Sequence, residues 1–204
     1  MDLSTWAGFV LASSVLLVIP GPTILLVVSY ALGQGMRAAA PLAVGVALGD
    51  FTAMTLSMLG LGAVLHASAL LFTLLKWAGA AYLLWLGVQL WRAGGTLGAQ
   101  PRQDGARPLR MVGHAWLVTA LNPKSITFFV AFLPQFLDPG QDLGPQMMVM
   151  EATFLALAFA NALGYGLLAA RAGRVAASPR LVRAFNRTGG TLLIGAGAWT
   201  IVRT

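Results

Sequence analysis

Two interruptions of apolar helix, in matching halves of the chain, constrain its fold more than any other feature. Pro22, in Gly21-Pro22-Thr23-Ile24, precedes Pro123, in Asn122-Pro123-Lys124-Ser125, by 101 residues, and Asp50 precedes Glu151 by the same 101. A third correspondence, at a spacing of 110, sets residues 79–87 over residues 189–197, so the second half carries a nine-residue insertion before its last segment. A duplicated apolar unit with paired breaks is the pattern of a secondary transporter whose site lies between its repeats.

The surroundings of those breaks place the chain in a membrane. It is 58% hydrophobic and 9% charged, with a mean hydropathy of +0.79, where soluble domains are about 25% charged. The net charge of +7 does not signal nucleic acid, because nine of the thirteen basic residues fall in two stretches, 92–110 and 171–187, between apolar segments. That clustering is a topology signal, and no soluble basic face with stacking aromatics is available. The chain has no cysteine and only two histidines, His66 and His114. Disulfides, thiol chemistry and a metal cluster therefore drop out, and no cofactor is implied. Asp2 stands where a cleavable signal would be basic, so the first apolar stretch reads as a span.

A span needs about 20 apolar residues to cross roughly 30 Å of hydrocarbon. Residues 3–36 carry no charge and are interrupted by Pro20-Gly21-Pro22, where two prolines remove backbone donors. Residues 38–65 carry only Asp50, and residues 67–91 only Lys76. Residues 111–137 carry Lys124 beside the Asn122-Pro123 break, and residues 146–170 carry Glu151. A shorter uncharged stretch, 188–202, is the sixth span. The fold expected is an all-α integral membrane protein of six transmembrane helices. Three helices per repeat is an odd number, so repeat one (about 1–92) and repeat two (about 111–204) must be inverted, joined by a linker at 93–110. The basic loops after the third and fifth helices belong in the cytoplasm. Both termini then lie outside.

A charge at the bilayer centre costs about 2.5–3.5 kcal/mol, so each one needs a partner or a function. Asp50, a dozen residues into its helix, reads as a proton carrier, as the counter-charge to a substrate ammonium, or as half of an ion pair with Lys76 or Lys124. Lys124 lies where freed backbone is tolerated only near protein or a water-filled cavity. With half-helix amides it suits a carboxylate, or else a salt bridge to Asp50 or Glu151. The unwound backbone of Pro20-Gly21-Pro22 is the mirror element, or a plain kink. Glu151 reads as a site residue or as a charge near a helix end, Lys76 as a snorkelling base, and the histidines as interfacial. Gly45 and Gly49, just before Asp50, form a small-residue face for close helix approach. No phosphate-binding loop or catalytic triad can be assembled, so neither ATP hydrolysis nor an intramembrane enzyme is expected.

Pro20-Gly21-Pro22, residues 45–50 (Gly-Val-Ala-Leu-Gly-Asp), residues 76–87 (Lys-Trp-Ala-Gly-Ala-Ala-Tyr-Leu-Leu-Trp-Leu-Gly) and Asn122-Pro123-Lys124 resemble the LysE/RhtB amino-acid exporter family in order and spacing. The resemblance runs over essentially the whole chain. It implies six helices, a bacterial inner membrane and outward transport of amino acids by secondary active exchange. It also points to Pro20, Gly21, Pro22, Asp50, Asn122, Pro123 and Lys124 as the motif positions. Asp50 and Lys124 supply one charge of each sign, as a zwitterion needs. A cationic substrate side chain would want a further acid, so the balance favours a neutral amino acid, with protons as the coupling ion and membrane lipid as surroundings. Export of another small solute or ion, or a non-transporting scaffold, is the alternative; a scaffold leaves the mirrored breaks unexplained. Small-residue helix faces allow a homodimer without requiring one.

Overall fold

The computed structural model describes residues 1–67, 69–92 and 106–172, with isolated helical positions between 180 and 198. Most of the sixth span expected at 188–202, the linker residues 93–105, and the side chains of His66 and Lys76 lie outside the described residues. Those described are all helix and turn, with no strand. The helices are α1 (Leu3–Val18), α2 (Pro22–Gln34), α3 (Ala39–Ala67), α4 (Ala69–Arg92), α5 (Pro108–Ala120), α6 (Pro123–Phe132) and α7 (Leu143–Ala172), with 3-10 turns at Gly35–Ala38 and Leu133–Gln135.

Local chemistry sets the helix ends. Asp2 caps α1: its carboxylate accepts from the Thr5 amide at 2.7 Å and from the hydroxyls of Ser4 at 2.7 Å and Thr5 at 3.0 Å. Those donors, the Thr5 amide first, hold the Asp2 carboxyl well below the usual carboxylate range. α1 stops at Val18 because neither Pro20 nor Pro22 can donate to the preceding turn. Pro22, Pro108 and Pro123 each open a helix, where the missing donor costs nothing. α5 thus starts within the stretch read as linker. α5 and α6 meet at 49° across Leu121-Asn122. The segment Pro22–Gln34 and the segment Pro123–Gln135 begin and end at the 101-residue spacing read from the sequence.

Two helical stretches, Pro22–Leu61 and Leu143–Arg171, are long and apolar enough to cross a membrane, and the bent α5–α6 pair makes a third if it is one span. The first has 40 residues, about 60 Å if straight and twice a bilayer's hydrocarbon. It turns back instead: Thr23 of α2 and both Val46 and Asp50 of α3 line the same cavity. The reversal is made at Gly35, whose φ of +65° only glycine adopts freely. Large aliphatic side chains face outward, among them Leu56, Leu59, Leu70, Leu109 and Leu168, as suits a hydrocarbon solvent.

The interior is layered. One apolar layer joins Phe9 and Leu16 of α1, Met54 and Met58 of α3, Phe128, Phe129 and Phe132 of α6, and Phe154 of α7. Its rings interlock, with Phe128 stacked on Phe132 at 4.4 Å and Phe129 edge-on to Phe154 at 4.9 Å. The second layer joins Leu26, Val27 and Tyr30 of α2, Leu42 and Val46 of α3, Met111 and Ala115 of α5, and Ala162 of α7. The chain therefore passes from the first layer to the second through α1–α2 and from the second to the first through α5–α6. α3 and α7 likewise run in opposite senses between the layers. Gly45 and Gly49 are the contact of α3 with α5. A Cβ on Gly45 would lie 2.8 Å from the Ala115 Cβ, and one on Gly49 2.5 Å from the Thr119 Cβ. The small-residue face expected from the sequence is this crossing.

Candidate functional site

Between the two apolar layers, where the broken helices meet, lies a small cavity of about 30 Å³ that several polar side chains line. From α1 and its break it takes Leu16, Leu17, Ile19 and Gly21, and from α2 Thr23 and Ile24. α3 gives Val46 and Asp50, the α5–α6 break gives Asn122, Lys124 and Ser125, and α7 gives Ala158 and Asn161. Asp50 is 2% exposed, the one acid fully buried among the described residues. Ser125 lines the same cavity, and the nearby Lys124 ammonium is the electrostatic partner of the Asp50 carboxylate. Lys124 and Ser125 both lie in the first turn after the Asn122-Pro123 break, so this break itself brings both to the cavity.

Each break leaves backbone groups that a membrane interior cannot solvate. At the α5–α6 break the Asn122 side chain accepts from the Lys124 amide at 3.1 Å and donates to the Thr23 hydroxyl at 3.2 Å. The hydroxyls of Thr23 and Thr119 are 3.3 Å apart, tying α2 to α5. At the end of α1 the four last carbonyls all have side-chain donors. Lys124 Nζ donates to the carbonyls of Leu16 at 3.0 Å and Ile19 at 2.7 Å. Asn161 Nδ2 donates to Leu17 at 2.9 Å and the Tyr165 hydroxyl to Val18 at 2.7 Å. Lys124 thus sits at the negative end of a helix dipole as well as beside an acid.

Of the residues singled out in the sequence, Asp50, Lys124, Asn122 and Gly21 are brought together here. Pro20, Pro22 and Pro123 line no part of the cavity; they shape the helix ends that do. Gly21 has an extended backbone (φ −124°), so it is not needed for a turn. The Lys124 stem passes beside it: a Cβ there would lie 3.4 Å from Lys124 Cδ, an ordinary contact. Glu151 stands apart: half-buried on α7, it accepts from the Thr55 hydroxyl, two turns or about 10 Å along the helix from Ala158. His114 is not at a segment end but within α5, its Nδ1 3.0 Å from the Tyr30 hydroxyl. Ser125, Thr23, Asn161 and Tyr165 escaped the sequence reading. Asn161 had a signal, as a lone amide in a long apolar run; the others, small or amphipathic, had none.

The LysE type translocator family matches residues 14–203. Over 197 residues the chain is 36% identical to an uncharacterized membrane protein of Vibrio cholerae, covering 97% of this chain and 96% of that one. It is 33% identical over 198 residues to a homoserine/homoserine lactone efflux protein of Salmonella typhi, with 97% and 96% covered. It is 30% identical over 159 residues to a leucine efflux protein of an Enterobacter species, with 77% and 75% covered. No solved structure matches it significantly. With its family matched across nearly the whole length, and with Gly21, Asp50, Asn122 and Lys124 gathered at one cavity, the chain belongs to the LysE-type translocators.

Proposed function

We propose that this protein is a secondary active exporter of amino acids in the bacterial inner membrane, coupled to protons and favouring a neutral amino acid. Six helices form two inverted three-helix repeats, about 1–92 and 111–204, with 93–110 as linker and both termini outside. The opposite senses of α1–α2 and α5–α6 between the apolar layers support the inversion.

The observation that carries the reading is the small cavity lined by both Asp50 and Lys124 where two helix breaks meet. A zwitterion offers an ammonium to Asp50 and a carboxylate to Lys124, with the hydroxyls of Ser125 and Thr23 and the amides of Asn122 and Asn161 at hand. The remaining wall, Leu16, Ile24, Val46 and Ala158, suits a short uncharged side chain. Glu151 is too far along α7 to meet a second ammonium, which supports a neutral substrate. Relatives named for homoserine and leucine efflux support the same class. At about 30 Å³ the cavity holds one water, far below the roughly 300 Å³ at which small-ligand sites begin. An amino acid does not fit the cavity as it stands, so transport requires the flanking apolar layers to part in turn. Asp50 is the group that takes up and releases the coupling proton.

The test is counterflow in proteoliposomes with a panel of labelled amino acids, with and without an imposed pH gradient. Exchange of a neutral subset, driven by the gradient, is the expected result. Folded protein that exchanges no amino acid refutes the proposal.

A further inference from the structure

The end of α1 is the most heavily capped piece of backbone in the described chain, and its caps are of two kinds. Asn161 and Tyr165 are neutral, and both belong to α7. Lys124 is charged, belongs to α6, and alone serves two carbonyls, those of Leu16 and Ile19. A helix C-terminus carries about half a negative charge, and in transporters with broken helices such carbonyl ends coordinate the coupling cation. Here the position is filled by a cation attached to the chain itself. The lysine stem reaches it past Gly21.

We propose that the carbonyl end of α1 is a monovalent-cation seat, occupied in this structure by the Lys124 ammonium, which an arriving substrate carboxylate draws away. This rests on the reading of the cavity as the transport site. An ammonium has three donors, and two are spent on α1, so a full interaction with a carboxylate competes directly with the seat. When Lys124 leaves, α1 is released from α6 but stays held to α7 by Asn161 and Tyr165. The apolar layer shared by α1 and α6, where Phe9 also meets Phe136 just beyond the 3-10 turn edge-on at 5.5 Å, then loses its tie at the cavity end. Substrate binding and the parting of that layer are in this way one event. Asn161 and Tyr165 are positioning residues: they keep the seat's shape while it is empty.

The experiment uses Lys124→Ala, which deletes the three carbons and the ammonium that n-propylammonium carries. Thermal unfolding of the full-length variant and of wild type is measured in n-propylammonium, sodium and tetramethylammonium chlorides at equal ionic strength. Saturating n-propylammonium should raise the variant's midpoint by about 3 °C or more over tetramethylammonium, which has no N–H to donate, and leave wild type unmoved. A similar rise in sodium would extend the seat to inorganic cations. No rise in either salt overturns the seat. Where Lys124→Ala does not fold, Tyr165→Phe carries the test. It should slow amino-acid counterflow several-fold per folded molecule at an unchanged half-saturating concentration. Unchanged turnover would show a merely structural cap and overturn the proposal. Wild-type counterflow is run alongside. If it is absent while the amine shift is present, the transport reading and the substrate's part in the proposal fall together; if it is present without the shift, the seat alone falls.

Discussion

Replacing Gly49 by alanine adds one methyl group, and the structure says where it must go. The new carbon would lie 2.5 Å from the Thr119 Cβ, 2.8 Å from the Trp116 carbonyl oxygen and 3.0 Å from the Ala120 amide nitrogen. Comfortable carbon–carbon contacts are about 3.5–4.0 Å, so α5 must retreat by about 1 Å. The obstructing atoms are backbone and a Cβ, which no rotamer change can move aside. The cost therefore falls at the upper end of the overpacking range, about 3 kcal/mol, and alanine's better helix propensity returns about 1 kcal/mol. Gly60, on the same helix, is the control, because a Cβ there meets nothing within 4 Å and Gly60→Ala should gain about 1 kcal/mol. The two variants should then differ by about 3 kcal/mol, or at least 6 °C in unfolding midpoint for a chain of this size. Activity should follow, since Thr119 touches the Thr23 hydroxyl and lies three residues before the Asn122 cap. Thermal unfolding in detergent micelles, with counterflow on the same preparations, measures both. A Gly49→Ala protein as stable as Gly60→Ala would refute the close crossing of α3 and α5.

Asp50→Asn keeps the shape of the side chain while removing its proton chemistry. The variant should fold but lose exchange driven by a pH gradient; normal gradient-driven transport would remove Asp50 from the proton's path. Ser13 is fully buried on α1 and its hydroxyl has no hydrogen-bond partner among the described residues. Ser13→Ala should therefore raise stability by about 1 kcal/mol, read as a higher unfolding midpoint, and a lower midpoint would mean the hydroxyl is used. Asp2 has its carboxyl depressed by the Thr5 amide and the Ser4 and Thr5 hydroxyls. A depressed carboxyl stabilises above its unfolded pKa of about 3.9 and loses that stabilisation as pH falls below it. The midpoint gap between wild type and Asp2→Ala should be full at neutral pH and shrink on acidification through that value; a gap independent of pH would show the cap is not ionic.

Much of the site was legible because its causes are local. Proline removes a donor wherever it stands, so Pro20, Pro22 and Pro123 announce broken helices without any knowledge of neighbours. A carboxylate a dozen residues into an apolar run has nowhere to reach water, so Asp50 announces a cavity or a partner. Gly45 and Gly49, spaced by one turn, announce a close crossing. Similarity of position misled once: Glu151 matches Asp50 at the 101-residue spacing, yet its place on α7 puts it with Thr55 and away from the cavity.

The sequence by itself determined that this chain is helical, apolar and broken twice, because those properties follow from donor count and from the cost of charge in hydrocarbon. Only the tertiary structure decided who satisfies what the breaks expose. Asn161 and Tyr165 reach carbonyls 144 and 147 residues earlier. Lys124 spends its donors on Leu16 and Ile19, not on an ion pair alone. An orphan carbonyl declares its need in the sequence, but its partner is fixed by which helices pack beside it, and that is a property of the assembled bundle.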